Sequence, residues 1–335
     1  MILNFKNLDW INHTAQLENQ KTWQSEIYEF IEFYLSGPDS LIQKTSGSTG
    51  TPKNITLPYK VLENSALATI DFFNLPTGAS SLLCIPTTYI GGKMMLVRAV
   101  AGSWRLTCIE PSLDLKIPDK EFDFSAMIPA QVKLLLEKNP SSLSRIKHLI
   151  IGGSPVNEEL EVALCNAKIN AYSTFGMTET ASHVALKKLD GKSNFIALDG
   201  IQFRVSEESR LIIDSDRIPN SPLLTNDVVE LIDKKTFKWL GRSDYVINSG
   251  GVKIIVEELE KRLASLIKTP FYIKKTNHEL HGELPVLVLQ SNETETNATD
   301  LLNSLKPKLP KFWVPAVIEF KSQFEFTESG KLKRI

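Results

Sequence analysis

Nine consecutive residues concentrate hydroxyl side chains, two glycines and a lysine: Thr45-Ser46-Gly47-Ser48-Thr49-Gly50-Thr51-Pro52-Lys53. Glycines let successive backbone N–H groups turn toward one anion, hydroxyls add neutral donors that can also approach magnesium, and the lysine supplies a point charge. The chemistry implied is a polyphosphate cradle. It is not a Walker loop, because Pro52 stands where the second glycine before the lysine would be needed. Lys53-Asn54-Ile55-Thr56-Leu57 then alternates polar and apolar residues, so the loop is expected to join two strands, with little help from a helix dipole. A surface hairpin rich in Ser, Thr and Gly has the same composition; the order of the residues is the more specific feature.

A second constellation is Tyr172-Ser173-Thr174-Phe175-Gly176-Met177-Thr178-Glu179-Thr180. An aromatic face can stack on a base, a glycine permits close approach, a hydroxyl can donate to a phosphate and a carboxylate can hold magnesium, a set that suits a nucleotide monophosphate. Four more stretches attract notice: Gly152-Gly153-Ser154, Thr225-Asn226-Asp227, Gly241-Arg242-Ser243-Asp244 running on to Gly250-Gly251, and the basic tail Thr327 to Arg334. Singly, the first, third and last of these read as a strand-helix turn, a hairpin end with a glycine turn, and solvated charge.

Together and in this order, the motifs from residue 45 to the end resemble the adenylate-forming superfamily of acyl- and aryl-CoA ligases, luciferases and peptide-synthetase adenylation domains. The resemblance implies that Thr45, Ser46, Gly47, Ser48, Thr49, Gly50 and Lys53 hold the ATP phosphates. Thr178 contacts the α-phosphate and Glu179 the metal, while Phe175 occupies the adenine-stacking place where the family usually has tyrosine, followed by Gly176. Gly152, Gly153 and Ser154 line the adenine and acyl pocket. Asp227 accepts from both ribose hydroxyls, Arg242 reaches the ribose, Asp244 is the hinge, and Gly250 and Gly251 line the CoA tunnel. Lys331 corresponds to the adenylation lysine. Asn226 replaces the family's glycine, an exchange that a left-handed backbone would tolerate. Tyr89 stands where many acyl ligases have a histidine guarding the acyl pocket. The short length and the run Gly91 to Arg98 look most like o-succinylbenzoate-CoA ligases of menaquinone synthesis. With such a diacid, Arg98 or Lys93 would pair with the second carboxylate, although a solvated helix face explains both residues as well.

These residues need a scaffold, and the hydrophobic pattern describes one. Helices are expected in residues 1 to 36, where Trp23, Ile27, Phe30, Ile31 and Tyr34 recur at helical intervals, and over Tyr59 to Phe73, Gly91 to Val100, Ala130 to Lys138 and Asn157 to Cys165. Between them come strands at Ser81 to Pro86, Trp104 to Cys108, Arg145 to Ile151 and Ile169 to Ala171. That βα rhythm argues an α/β fold with a helix-covered, mostly parallel sheet whose ligands sit at the carboxyl ends of the strands. Short hairpins follow from about 195 to 241 as a small β-subdomain. Helix Val256 to Ile267, strands near Phe271 to Lys274 and Val286 to Gln290, and a helix near Asp300 to Leu305 make a small C-terminal α+β domain. We expect an ATP- and acid-binding domain over 1–242, trimmed at its N-terminus relative to the family, and a mobile domain over 243–335.

With 335 residues and 42% hydrophobic side chains the chain can bury a sizeable core. Its 38 basic and 39 acidic side chains leave a net charge of -1, so no global field draws nucleic acid or anionic lipid. No apolar run approaches a membrane span and the first residues lack a signal pattern, so a cytoplasmic protein is expected. Cys84, Cys108 and Cys165 have no paired spacing and read as small core residues; His278 and His281 read as a solvated loop. The resemblance implies ATP, Mg2+ and coenzyme A acting on a small-molecule carboxylic acid, and leaves association with a second copy open. Loading of a carrier protein, arrest at the adenylate, and a nucleotide-binding homologue without catalysis remain alternatives.

Overall fold

The computed structural model describes residues 1–6, 22–44, 53–291, 295–325 and 332–334. The chain forms two compact units: the first is Met1–Phe203 with Ile213–Pro222 and Asp233–Thr236, the second Arg204–Ile212, Leu223–Ile232 and Phe237–Ile335.

In chain order the first unit has β1 (Ile2–Asn4), α1 (Thr22–Leu35), β2 (Ser40–Lys44), β3 (Asn54–Pro58), α2 (Tyr59–Phe73), β4 (Ser80–Leu83), α3 (Ile90–Ala101) and β5 (Arg105–Cys108). There follow β6 (Phe122–Met127), α4 (Pro129–Lys138), α5 (Pro140–Ser144), β7 (Ile146–Ile151), α6 (Glu158–Asn166), β8 (Ala171–Gly176), β9 (His183–Lys188) and β10 (Phe195–Ala197). Its strands are ordered β1-β5-β4-β6-β7-β8-β9-β10. The run β5-β4-β6-β7-β8 is parallel, while β1, β9 and β10 add to it antiparallel. Both faces are covered, so β6 is buried almost throughout, Ser125 included, and β7 ends in the buried apolar run Leu149, Ile150 and Ile151. One core joins Phe122, Leu149 and Ile151 of these strands to Val132 and Leu135 of α4 and Leu160 and Leu164 of α6. α3 lies against α1 and α2, so it is apolar almost all round and Met94, Met95 and Val97 are fully buried.

Four elements differ from the sequence expectation. Ile2–Asn4 is not part of a helical stretch but a strand paired with β5. The aromatic motif does not follow a strand; Ala171–Gly176 is the strand β8 itself. β6 and β9 were hidden because Asp123 and Ser125 interrupt the first and Lys187 and Lys188 end the second. The expected strand-loop-strand around the phosphate-type loop is present: β2 and β3 pair antiparallel, with Lys44 opposite Asn54.

The second unit takes most of a meander, β11 (Gln202–Val205), β12 (Arg210–Asp214), β13 (Leu223–Asp233) and β14 (Thr236–Arg242), in spatial order β14-β13-β12-β11. A 3-10 turn at Ser243–Tyr245 leads to β15 (Ile247–Ser249), β16 (Val252–Ile254), α7 (Val256–Ala264), β17 (Phe271–His278), β18 (Gly282–Gln290), α8 (Glu295–Leu305) and β19 (Val317–Lys321). These strands form a small sheet in which β19 pairs parallel to β18. Leu259 and Leu263 of α7 pack on Ile273, Leu287 and Ile318 of the sheet. The 242/243 position therefore lies inside the second unit, between the meander and the small sheet.

Candidate active site

β3, the strand that leaves the phosphate-type loop, lies against the 3-10 turn Thr178–Thr180. The loop residues Thr45, Ser46, Gly47, Ser48, Thr49 and Gly50 fall outside the described residues; Lys53 is exposed immediately before β3. The turn is built by its own side chain. The Thr180 hydroxyl accepts the Met177 N–H at 3.0 Å and lies 2.6 Å from the Ser182 carbonyl to which it donates. Gly176 is needed just before it, because a Cβ there would come within 2.2 Å of the Ser182 carbonyl oxygen. Thr178 and Glu179 are thereby held half-buried at the end of β8.

Gly152 and Gly153 turn the chain out of β7. A Cβ on Gly152 would meet the Thr174 hydroxyl at 2.3 Å, and Gly153 has φ +88°, with Ser154 following half-buried. Phe175, one strand position from Thr174, is 9% exposed and makes an edge contact with Phe195 at 5.8 Å between centroids. The β7 and β8 motifs are thus neighbours at the carboxyl ends of adjacent parallel strands.

α3 carries both residues expected to face the acid, but not side by side. Tyr89 precedes the helix and is 41% exposed; Arg98 is nine residues on, roughly 13 Å along the axis at 1.5 Å per residue. Arg98 is 1% exposed. Its guanidinium donates to Thr69 Oγ1 at 3.1 Å and to Ser182 Oγ at 2.8 Å, and lies 3.5 Å from His183 Nδ1. Among the described residues no carboxylate pairs with it. Burial pushes its pKa down to about 9, so it stays charged at neutral pH. His183, held at Nε2 by Thr69 at 3.2 Å, is kept neutral by burial and by the charge of Arg98. Ser182 and His183 follow Glu179 by three and four residues, so the arginine of α3 reaches the segment that ends the Thr178–Thr180 turn.

Lys93 is occupied elsewhere. Its ammonium donates to Gln43 Oε1 at 2.6 Å, and the Gln43 amide donates to the carbonyls of Lys44 and Thr88. Gln43 thereby ties the root of the phosphate-type loop to the approach to α3. His183 and Gln43 were missed by sequence reading. The first was discoverable only as a histidine trailing a motif, the second only through burial, at 5% exposed.

The second unit assembles Asp227, Arg242 and Asp244 into one network. Asp227 is 7% exposed and accepts the Trp239 indole N–H at 2.9 Å. Arg242 lies 3.6 Å from its second oxygen and 2.5 Å from Asp244. Burial raises the Asp227 pKa, against the opposing effects of Trp239, Arg242 and Thr225. Asn226 does not use left-handed backbone. It sits within strand β13, where its amide donates to Asp244 at 3.0 Å and its oxygen accepts from Arg210 at 2.7 Å. Side-chain bonding, not φ tolerance, therefore explains Asn226. Gly250 and Gly251 have φ of +55° and +82°, and a Cβ on Gly250 would come within 2.6 Å of the Phe312 ring. Lys331 lies outside the described residues. His278 and His281 stack at 4.9 Å on the exposed hairpin between β17 and β18.

The described part of this arrangement joins a nucleotide-type turn to strand-end glycines, and the comparisons agree. The family model described as AMP-binding enzyme matches residues 19–208, more than half of the sequence. The chain belongs to the AMP-binding enzyme family. A 2-succinylbenzoate–CoA ligase of Haemophilus influenzae is 28% identical over 306 residues, covering 81% of this chain and 64% of that protein. A second of the same name, from Bacillus cytotoxicus, is 26% identical, covering 90% and 70%. The chain thus spans about two thirds of the length of these curated relatives. Among solved structures, an acyl-CoA synthetase (AMP-forming)/AMP-acid ligase II-like protein from Dyadobacter fermentans is 33% identical with TM-score 0.67, covering 100% of this chain and 98% of that one. The o-succinylbenzoate CoA synthetase of Bacillus subtilis in complex with its acyl-adenylate matches at 19% identity and TM-score 0.73, over 87% and 67%, and so bears on the fold alone. Among the described residues no helix is long and apolar enough to cross a membrane.

Proposed function

We propose that the protein is an ATP-dependent carboxylic acid–CoA ligase that works through an acyl-adenylate, and that its acid is o-succinylbenzoate, the substrate of a menaquinone-synthesis step. A carboxylate is a poor electrophile because its charge is delocalised. In this reading the acid oxygen attacks the α-phosphorus of MgATP and pyrophosphate leaves; the CoA sulfur, its proton lost to solvent, then bonds the acyl carbon as the acyl C–O bond breaks, and AMP departs with that oxygen. Positioning and charge neutralisation supply the acceleration, with no covalent enzyme intermediate. Thr178 and Lys331 act on the α-phosphate, and Glu179 approaches the magnesium that ATP brings. One carboxylate fits such an ion, which keeps waters and phosphate oxygens as its other ligands. Among the described residues no group of three His, Cys, Asp or Glu offers an all-protein cage. Asp227 and Arg242 are assigned to the ribose, Phe175 to the base, and Gly250 and Gly251 to CoA. Asp244 is the hinge of a mobile domain beginning at 243.

The observation that carries the choice of acid is Arg98. A guanidinium almost fully removed from water, bonded to two hydroxyls and near a neutral imidazole, has among the described residues no counter-charge of the kind a second substrate carboxylate would supply. The names of the curated relatives point to the same diacid. A panel of aryl monoacids, aryl diacids and aliphatic diacids, each with ATP and CoA and read by product mass, tests both parts. Thioester from o-succinylbenzoate alone is the expected result; preference for a monoacid removes Arg98 from substrate recognition, and transfer only to a carrier pantetheine removes free CoA.

A further inference from the structure

We infer that Arg334 is a positioning residue: it clamps the tail that bears Lys331 to α7 and to Tyr245, next to Asp244, so that tail and hinge segment move together. The inference rests on the proposed role of Lys331 in adenylation. Lys331 precedes Arg334 by three residues in the sequence.

Arg334 is unusually engaged for a residue one position from the end of a basic tail. Its guanidinium makes a two-pronged ion pair with Glu260, with NH1 on Oε1 and NH2 on Oε2 at 2.8 Å. NH1 also donates to the Ile273 carbonyl at 2.9 Å. Its Cζ lies 5.1 Å from the centre of the Tyr245 ring. Glu260, on α7, accepts the Ile273 N–H at 2.7 Å, so α7, β17 and the tail meet at one carboxylate. The rest of the described tail is tied by a different set of contacts: Leu332 packs on Tyr272, Val286, Val288 and Phe324, and the Lys333 N–H donates to Glu325 at 2.9 Å. A surface ion pair would do little. A bidentate, mostly buried pair with a stacked aromatic fixes direction as well as distance.

The placement of Tyr245 gives the clamp its consequence. Arg242 and Asn226, on the meander, bond the Asp244 carboxylate, whereas the Arg334 guanidinium lies over the ring of the next residue, Tyr245. A rotation about Asp244 would therefore carry Tyr245, α7 and the tail as one body. Without Arg334 the described part of the tail, 332–334, would keep the Leu332 and Lys333 contacts alone, and Lys331 would be less closely coupled to the hinge segment.

The test uses the full chain with Arg334→Ala, Arg334→Lys, Glu260→Gln and Lys331→Ala. Losing a charge-assisted clamp of this kind is expected to cut acid-dependent ATP–pyrophosphate exchange about ten- to a hundredfold in Arg334→Ala and Glu260→Gln. Arg334→Lys should recover part of it. Conversion of prepared acyl-AMP and CoA to thioester should stay within about threefold of wild type, because the adenylation lysine is not used in that step. Independently of activity, hydrogen exchange in a peptide spanning 325–334 should quicken by about tenfold in Arg334→Ala at an unchanged thermal midpoint. Unchanged exchange in that peptide overturns the clamp. Faster exchange with normal adenylation, where Lys331→Ala is defective, overturns the positioning role. If wild type adenylates no acid at all, the proposed function fails and hydrogen exchange alone decides the clamp.

Discussion

Two arginines sit in contrasting surroundings. Arg98, in the first unit, is buried among neutral partners; Arg242, in the second, lies beside two carboxylates. Burial lowers the pKa of both, but at Arg242 the hydrogen bond to Asp244 and the charge of Asp227 outweigh it and the net shift is upward. A charge satisfied within the chain holds architecture, and Arg242 ties the end of β14 to the turn that follows. A charge left with dipoles only is poised to take its counter-ion from a ligand. On this reading the first unit recognises the acid and the second controls which chemical step takes place.

The largest effect should come from the step-control side. In the adenylation transition state negative charge collects between the carboxylate and the α-phosphate, and an ammonium on a flexible arm can bridge both. Lys331→Ala should lower acid-dependent pyrophosphate release by about a hundred- to a thousandfold, the usual cost of one such contact, yet still turn prepared acyl-AMP and CoA into thioester. Lys333→Ala is the control. Its pairing with Glu325 at 3.6 Å is between exposed groups, and its loss should change little. Equal damage from both variants would erase the division of labour.

On the recognition side, Arg98→Met keeps the apolar stem and deletes the charge. If a second carboxylate is its partner, KM for the diacid should rise about ten- to a hundredfold, the range for charge-assisted hydrogen bonds, with KM for ATP nearly constant. A rise in both would mean that Arg98 supports the fold around Ser182 and His183 rather than the acid.

The assigned hinge, Asp244, carries side-chain contacts of its own. Asp244→Pro fixes φ but also deletes the carboxylate that Asn226 and Arg242 bind. Asp244→Asn is therefore the necessary companion, since it weakens the clasp without restricting the backbone. Asp244→Pro should separate the two half-reaction rates by about tenfold, and Asp244→Asn by much less. The same imbalance in both variants would assign the effect to the clasp and not to rotation.

Much of this was legible in the sequence because it is local. α2 spans the expected Tyr59–Phe73, and the phosphate-type loop does join two strands. Order and spacing also sufficed for the family. What escaped is what needs the third dimension. β6 hid because Asp123 and Ser125 look like polar interruptions, although within the fold they bond the Ser80 amide and the Leu82 carbonyl. Thr69, Ser182 and His183 meet around Arg98 from three elements far apart in the chain, and no spacing rule connects them. Trp239 looked like a strand residue until its indole was seen on Asp227.

The smallest expected effect is a pH dependence within the second unit. Glu257 at the start of α7 accepts the Arg242 N–H at 3.2 Å, while its other oxygen is buried without a partner. Burial pushes its pKa up to about 7, despite the lowering influence of Arg334. The folded chain therefore binds this proton more tightly than the unfolded chain, whose carboxyl titrates near 4.3. The stabilisation is complete below that value and is lost as pH rises through about 7. Wild type should lose on the order of 1–3 kcal/mol of stability from this group between about pH 4.5 and 7.5. Glu257→Gln, neutral throughout, should remove that slope. Thermal midpoints of both proteins across the range measure it, and parallel profiles would show that Glu257 does not titrate there. The same variant probes the contrast between the two arginines. Arg242 keeps its two carboxylates when Glu257 is neutralised, so the KM for the diacid, assigned to Arg98, should not move even where the stability profile does.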